Sequence, residues 1–418
     1  MTQLKDDCFA HGDDLTPLDL ALEQLQKTVE AVVGTEEVPL SAALARILGQ
    51  DVKAERNVPP HDNSAVDGYA VIHQDLMPDA DTSLPIGGRI TAGHKLDDVA
   101  KPGQAYRIFT GAPMPAGADT VFMQEDVRLD GDDVILPAGI KAGANRRFKG
   151  EDVQAGSVIL SRGKRLRPQE IGLAASVGRS KLTVYKRLRV AVFSTGDEVR
   201  DPGGEAPEGC IFDANRFTIM GLLERLGCLV TDLGILEDDE TVIADALSAA
   251  AGDHDLLFTS GGVSVGDEDH IKPAVEKLGS LHFWRLAIKP GRPIAFGQVA
   301  GTPFVGLPGN PVAAMVTFMC IARVLVLRLS GALDVAAPTY KVRAAFSFKG
   351  KGERREWLRA RLEKNADGDF CAHLYPATGS GVLTSMVASD GLVEVGEEQT
   401  RIEEGELVDF LPFPEMCP

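Results

Sequence analysis

Alternating strand and helix signals between Leu188 and Leu329 constrain the fold of this chain more than any other feature. Val190–Phe193, Leu229–Ile235 and Leu256–Phe258 are predicted strands, and the last is bulky without alternation, as expected for a parallel strand covered on both faces. Apolar residues recur at helical spacing between these strands. The region ends with strands predicted over Leu281–Ile288, Pro293–Val299 and Pro303–Leu307, the last two as a hairpin around Gly301, and with an apolar helix from Val312. The pattern predicts a doubly wound α/β domain.

Four of the predicted strands end in short turns that are rich in glycine, proline or carboxylates. These turns are Ser194–Glu198, Glu237–Glu240, Thr259–Asp269 and Gly306–Pro311. Ligands of open α/β sheets bind beyond the carboxyl ends of the strands. Each turn alone also fits an ordinary loop, but four at one edge predict a binding site.

The turn at Thr259–Asp269 combines glycines with acids. Gly261 and Gly262 permit positive φ or close approach to a ligand, so backbone N–H groups can converge on an anion. The acidic run Asp267–Asp269 would repel that anion unless a divalent cation lay between them. A plain glycine turn followed by an acidic helix start fits the same residues.

Positive charge enters this acidic region at Arg285, Lys289 and Arg292. Pro311 is placed to begin a helix, so the free amides of the turn from Pro308 can face an anion at the positive helix end. An ordinary connection between strand and helix is the alternative for this turn. Basic residues can bind phosphate, and acidic residues can bind a metal ion. Their occurrence in one region therefore predicts a phosphate-containing ligand that is bound together with a metal ion.

The rest of the chain predicts three further domains. Short β segments separated by turns indicate a mostly β domain, and a helix from Leu18 and another predicted from Ser41 to Leu48 indicate a small mixed α/β linking domain. After Ala337, alternating segments indicate a β-barrel-like C-terminal domain. The predicted domains are residues 1–60 with 151–187 (linking), 61–150 (mostly β), 188–331 (α/β) and 332–418 (C-terminal β).

Two features of the mostly β domain allow both a functional and an ordinary interpretation. Asp67 precedes Gly68 at a strand start, where a turn-forming role and a catalytic role fit equally well. Arg146 and Arg147 suit a phosphate, although such mixed-charge loops are usually only solvated.

Composition excludes several classes of function. The 418 residues include 43 Lys and Arg against 61 Asp and Glu, a net charge of -18, which argues against binding nucleic acid or an anionic membrane by bulk attraction. The six cysteines form no C-x-x-C pair, so neither a disulfide framework nor a zinc site is indicated. The start of the chain is polar, with no apolar signal segment. We therefore expect a cytoplasmic protein that spans no membrane.

Together the motifs closely resemble one family, the molybdopterin molybdenumtransferases, which include the E domain of gephyrin. The segments that carry the resemblance are Asp62–Ala70, Phe109–Pro113, Ser194–Glu198, Thr259–Gly266, Ala287–Gly291 and Leu307–Pro311. They are spread over nearly the whole chain.

The resemblance implies an elongated four-domain homodimer whose site lies between the α/β domain of one subunit and the β domain of the other. It implies that molybdenum from molybdate is inserted into adenylylated molybdopterin, with release of AMP and molybdenum cofactor and with Mg²⁺ as the cation. We expect no fused adenylylating domain, so the resemblance implies a separate molybdopterin-adenylylating protein. Molybdoenzymes or their chaperones would accept the product.

The resemblance also implies roles for particular residues. Catalytic roles fall on Asp67, Thr110, Asp152, Glu198, Asp238, Asp269 and Lys289, and among these Glu198, Asp238 and Asp269 are the expected metal ligands. Substrate-binding roles fall on Arg147, Gly261, Gly262, Ser264, Arg285, Lys289, Pro308, Gly309 and Pro311.

One residue departs from the family pattern, because Arg285 stands where lysine is expected. Arginine keeps the charge but offers a planar fork, which weakens the case for direct molybdate contact there. Two other functions remain open at this point. One is a non-catalytic, gephyrin-like scaffold, and the other is an enzyme that adenylylates molybdopterin itself.

Overall fold

A computed structural model describes residues 15–94, 99–262, 270–291 and 293–417, without the side chains of 283–285 and 293. Its central element is a six-stranded sheet. In spatial order the strands are Leu229–Leu236, Arg189–Thr195, Leu256–Ser260, Thr302–Leu307, Pro293–Val299 and Gly279–Arg285. The first four are parallel, and the last two are antiparallel to their neighbours. The predicted strands therefore exist, and four carboxyl ends share one edge.

Helices cover both faces of this sheet, which confirms the doubly wound arrangement. Asn215–Arg225 and the long helix from Pro311 pack on one face against Val192 and Phe258. Glu240–Asp253 and Ile271–Leu278 pack on the other face against Phe193. Adjacent strand residues point to opposite faces, so each central strand contributes to both cores.

The long helix runs as Pro311–Thr317, a π-helical turn at Phe318–Ala322, and Arg323–Leu329. By length and composition it could cross a membrane, but 83% of its apolar window is buried inside the protein. It is a core helix that holds the sheet to the N-terminal helix and the barrel.

The predicted strand Leu281–Ile288 is wrong at its end. The sheet strand stops at Arg285, and Ile288–Lys289 instead pairs with a strand of the C-terminal domain. Ile288 and Lys289 pair with the C-terminal domain instead of the sheet because Arg355 N donates to the Ala287 carbonyl, which extends the barrel ladder. This crossover brings Lys289 to the boundary between the two domains.

The mostly β region contains a second six-stranded sheet. Its strands, in spatial order, are Thr120–Met123, Gly68–Val71, Ala105–Ile108, Thr82–Ile90, Asp133–Leu136 and Arg128–Asp130. A separate two-stranded ladder pairs Asn63–Ser64 with Arg146–Arg147. A cis peptide bond, Val58–Pro59, is found where the chain passes into this region.

The linking region is built from the helices Leu18–Thr28 and Pro168–Ser176 and from two short ladders. The ladders pair Thr35–Pro39 with Lys181–Tyr185 and Val52–Lys53 with Val158–Leu160. The predicted helix from Ser41 to Leu48 is wrong, because only the 3-10 turn Leu40–Ala42 forms. Backbone N–H groups beyond it, such as that of Leu48, donate to the segment around Lys164 instead of within a helix.

The C-terminal strands close into a barrel, as predicted. Around it run Arg355–Lys364, Phe370–Leu374, Tyr340–Ala344, Leu407–Pro412 and Gly391–Val395, and the last strand pairs again with the first. Phe348–Lys349 and Arg401–Ile402 form a separate short ladder, and the short helices Thr384–Val387 and Phe413–Met416 complete the domain.

Candidate active site

A cavity of about 320 Å³ lies at the shared edge of the parallel strands. Its lining comprises Ser194, Thr195, Gly196, Glu198, Val199, Ile211, Phe212, Asp213, Ala214, Asn215, Asp238, Ser260, Gly261, Gly262, Gly309 and Pro311. Six residues that the sequence predicts for the site are among them: Glu198, Asp238, Gly261, Gly262, Gly309 and Pro311. The structure therefore brings all four predicted turns together in one cavity, which we call the edge cavity.

The acidic side of the edge cavity is built by neighbouring strands. Thr195 ends its strand with a hydroxyl that donates to Asp238 Oδ1 at 3.0 Å. This bond fixes the Asp238 carboxylate and leaves its second oxygen available. Glu198 is exposed and lines the same cavity. The carboxylates of Glu198 and Asp238 thus border one space, as a cation that also binds phosphate requires.

The glycine-rich side of the cavity is formed by two loops in close approach. Gly261 has φ +83° and Gly262 φ +62°, so both adopt the left-handed conformation that favours glycine. A Cβ on Gly309 would lie 3.6 Å from Gly261 Cα, so the two loops face each other across glycine backbone. The Ser260 hydroxyl donates to the Pro308 carbonyl at 3.0 Å and joins them. Such exposed backbone suits an anionic ligand.

The sequence analysis assigned no role to Asn215, the first residue of the helix Asn215–Arg225. Its amide nitrogen donates to Ser260 Oγ at 2.8 Å and to the Gly309 carbonyl at 2.7 Å. Because both amide hydrogens are used, Asn215 positions both loops and presents only its carbonyl oxygen to a ligand. The available signal was a polar amide at the first turn of a helix that follows a strand-end motif.

Lys289 lies outside the edge cavity, in a second cavity of about 390 Å³ between the α/β domain and the barrel. Its ammonium group is 2.9 Å from Oε2 of Glu356, whose side chain is only 8% exposed. Arg354 and Arg359 also line this second cavity, so its lining carries more positive than negative charge.

Arg359 is a further residue that the sequence did not single out. It is buried, and it donates to Ser385 Oγ and to the carbonyls of Ala377 and Gly379. Burial lowers the pKa of its guanidinium, and no described carboxylate lies within ion-pairing distance. The loop that it holds contacts the helix start beside the edge cavity, because Val312 N donates to the Ser380 carbonyl at 3.0 Å and Pro311 lines that cavity. One loop therefore connects the lining of the second cavity to this helix start.

Asp67 and Thr110 lie together in the mostly β region. Asp67 Oδ1 accepts hydrogen bonds from both the amide and the hydroxyl of Thr110, each at 2.7 Å. These two bonds lower the pKa of the Asp67 carboxyl below its ordinary value. Arg147 pairs with Glu151 at 2.5 Å, and Asp152 is exposed nearby.

Among the described lining residues of the edge cavity, none comes from residues 61–152. The structure thus does not bring Asp67, Thr110, Arg147 or Asp152 into this cavity. Ser264 and Asp269 fall outside the described residues, as does the side chain of Arg285. Within the described part of the chain, no three His, Cys, Asp or Glu side chains form a metal-binding group.

The fold and the edge cavity define a multidomain protein built around a ligand-binding α/β domain. Three family models match successive parts of the chain. They are the MoeA N-terminal region (domains I and II) at residues 16–178, a probable molybdopterin binding domain at 191–327, and the MoeA C-terminal region (domain IV) at 341–413. The chain belongs to the molybdopterin molybdenumtransferase family.

Relatives and a solved structure support this assignment over nearly the full length. A molybdopterin molybdenumtransferase of Haemophilus influenzae is 38% identical over 95% of this chain and 98% of its own length. One from Nostoc sp. is 34% identical over 91% of this chain and 89% of its own. The crystal structure of a molybdopterin biosynthesis moeA protein from Pyrococcus horikoshii superposes with a TM-score of 0.82 at 29% identity, covering 96% of this chain and 100% of that one.

Proposed function

We propose that this chain is a molybdopterin molybdenumtransferase, which inserts molybdenum from molybdate into adenylylated molybdopterin and releases AMP and molybdenum cofactor. The observation that carries the proposal is the edge cavity, where the carboxylates of Glu198 and Asp238 and two glycine loops line one space. The similarity to transferases of that name over nearly the whole chain supports the same reaction.

The chemistry of the reaction suits this cavity. The phosphoanhydride of the adenylylated substrate must be cleaved, so negative charge develops on the departing phosphate. The Gly262 backbone amide and the positive end of the helix that begins at Pro311 can stabilise that charge without reorganising, whereas the Gly261 amide already donates to the Leu307 carbonyl. A covalent protein nucleophile is not proposed, because the sulfur ligands of the metal belong to the substrate.

Mg²⁺ fits the residues of the edge cavity. This ion keeps several waters and commonly binds through one or two carboxylates together with substrate phosphate. Glu198 and the free oxygen of Asp238 would hold it, with Asp269 as the third expected ligand. When bound, the ion neutralises charge on the phosphates.

Molybdate would bind between the two cavities. It is a compact oxyanion, which suits the amides of the Pro308–Pro311 turn on one side and Lys289 on the other. The positive lining of the second cavity favours an oxyanion even though the whole chain is acidic. Arg285 would contribute positive charge rather than a direct molybdate contact.

The proposed active unit is a homodimer in the cytoplasm. The resemblance implies roles for Asp67, Thr110, Arg147 and Asp152, but residues 61–152 contribute no described lining to the edge cavity. A partner subunit could supply them. A separate adenylylating protein would deliver the substrate, and molybdoenzymes or their chaperones would receive the product.

The test is AMP release from adenylylated molybdopterin with and without molybdate. We expect molybdate-dependent AMP release in the presence of Mg²⁺. AMP release that does not depend on molybdate, or no AMP release at all, would refute the proposal. Consumption of ATP with unmodified molybdopterin would identify an adenylylating enzyme, and tungstate in a parallel arm would measure the choice between the two oxyanions.

A further inference from the structure

A two-stranded ribbon at the mouth of the edge cavity carries apolar side chains that the proposed reaction has not used. Val199–Arg200 pairs in parallel with Ile211–Phe212. Ile211 is 59% and Phe212 49% exposed, and both line the cavity together with Val199. The rest of the lining is largely glycine, hydroxyl, carboxylate and amide. An exposed apolar patch bordering a polar cavity indicates a contact with an apolar part of a ligand.

The ribbon is held in place by one buried arginine. Arg216 has a side chain only 3% exposed, and it donates to Asp213 Oδ2 at 3.0 Å and to Asp201. Asp213 follows Phe212 and Asp201 follows Arg200, so one guanidinium binds the ends of both strands. The ladder is closed by Ile211 N donating to the Glu198 carbonyl at 2.8 Å. Phe212 is therefore presented on a fixed support, which reduces the entropy lost when it packs on a ligand.

We propose that Phe212 is the stacking surface for a flat heteroaromatic ring of the substrate, with Ile211 and Val199 extending the apolar contact. The inference rests on the proposed function, whose substrate carries two such rings, adenine and pterin, separated by phosphates. A cavity of about 320 Å³ is small for that whole molecule. Phosphates on the glycine loops would leave one ring to lie on the ribbon at the cavity mouth.

The experiment measures binding of two probes to the full chain. AMP carries only the adenine ring system, and free pterin carries only the pterin ring system. Binding of AMP is followed by calorimetry and binding of pterin by quenching of its fluorescence. Phe212→Ala should weaken the probe whose ring stacks on the ribbon by on the order of tenfold. Phe212→Trp should restore binding, because it keeps an aromatic face.

Phe370 supplies the matched control. It is 52% exposed, but it does not line the edge cavity and lies on the C-terminal barrel, where the Lys364 ammonium group is above its ring. Phe370→Ala should leave both affinities unchanged. Thermal unfolding and circular dichroism of each variant identify any loss of fold.

The outcomes separate the two rings and the two proposals. Loss confined to AMP assigns adenine to the ribbon, and loss confined to pterin assigns pterin. Unchanged binding of both probes by folded Phe212→Ala, or wild-type protein that binds neither probe, overturns the inference. Absence of molybdate-dependent AMP release by the wild type would instead overturn the proposed function, whichever probe depends on Phe212.

Discussion

The amide group of Asn215 lies 2.8 Å from the hydroxyl of Ser260, and this single contact joins a helix start to the end of a central strand. The same nitrogen reaches the Gly309 carbonyl on the next loop. Ser260 in turn donates to Pro308. The glycine loops of the edge cavity are therefore held at a fixed separation by side chains that do not need to touch the reacting atoms.

Replacing Asn215 with Asp should separate these loops. A carboxylate cannot donate to Ser260 or to the Gly309 carbonyl, so two hydrogen bonds of about 1 kcal/mol each are lost. We expect a lower melting temperature and a rise in KM for the adenylylated substrate on the order of tenfold. Steady-state kinetics and thermal unfolding measure the two effects. Kinetics equal to the wild type would show that the loops keep their separation without Asn215.

Asp238 and Asp239 offer a comparison between adjacent carboxylates. Asp238→Asn removes a proposed Mg²⁺ ligand but can still accept from Thr195, so AMP release should fall by about a hundredfold while the fold is kept. Its residual activity should need more Mg²⁺. Removal of free Mg²⁺ with EDTA should stop the wild-type reaction.

Asp239→Asn is the control, because it changes net charge equally. Asp239 caps its helix by accepting from Thr241 N and Val242 N and does not line the cavity. Asparagine is an equally good cap, so activity and stability should both persist. Equal loss in both variants would mean that general charge, not metal binding, explains the Asp238 result.

Lys289 and Glu356 allow stability to be separated from catalysis. Lys289→Gln leaves the buried Glu356 carboxylate without its partner, and we expect a destabilisation of about 1 kcal/mol because Lys289 itself is 59% exposed. The double variant with Glu356→Gln should recover the stability, since two neutral amides replace the ion pair. If Lys289 binds molybdate, the double variant should remain inactive. Recovery of activity together with stability would make Lys289 a structural residue.

The sequence was sufficient to predict the elements whose own residue pattern determines their type and their burial. The run Leu256–Phe258 is apolar throughout, which predicts a strand covered on both faces, and its carboxyl end then meets the ends of the other parallel strands. The edge cavity follows from that topology, and so Glu198 and Asp238 could be assigned to one place. The predicted domain boundaries stay predictions.

Features that depend on distant partners could not be predicted. Ser41 and Leu48 have helical signals locally, but their neighbours find backbone partners more than a hundred residues later in the chain. Ile288–Lys289 joins the barrel through a parallel pairing with Arg355–Glu356 that no local pattern indicates. Asn215 and Arg359 act through contacts with loops remote in sequence. Their residue types alone fit caps and surface charges equally well.

The hydrogen bonds of Thr110 predict a measurable shift at Asp67. Thr110→Val removes the hydroxyl donor but keeps the amide donor, so the Asp67 pKa should rise toward its ordinary value without reaching it. Because the folded-state pKa is lowered, the contribution of this carboxylate is complete above the unfolded pKa of about 3.9 and is lost as the pH falls through the folded value. Both proteins should therefore keep Asp67 ionised at neutral pH.

Carbon-detected NMR titration of the carboxyl groups measures this shift. Glu151, whose pKa is lowered mainly by a hydrogen bond from Arg147, is an internal reference that should titrate identically in both proteins. An unchanged Asp67 midpoint in Thr110→Val would mean that the hydroxyl does not stabilise the charged form.

Asp67 and Asp238 can test whether one active site is shared between two subunits. If a partner subunit supplies Asp67 to the edge cavity that contains Asp238, Asp67→Asn and Asp238→Asn homodimers should each be inactive. A mixed dimer then has one site with both substitutions and one intact site. Random exchange of equal amounts makes half of the dimers mixed, so AMP release should recover to about a quarter of the wild-type rate. If each site were formed within one subunit, every site in the mixture would carry a substitution. Mixing before and after subunit exchange, with exchange followed by native mass spectrometry, distinguishes the two arrangements, because only a shared site gains activity as mixed dimers accumulate.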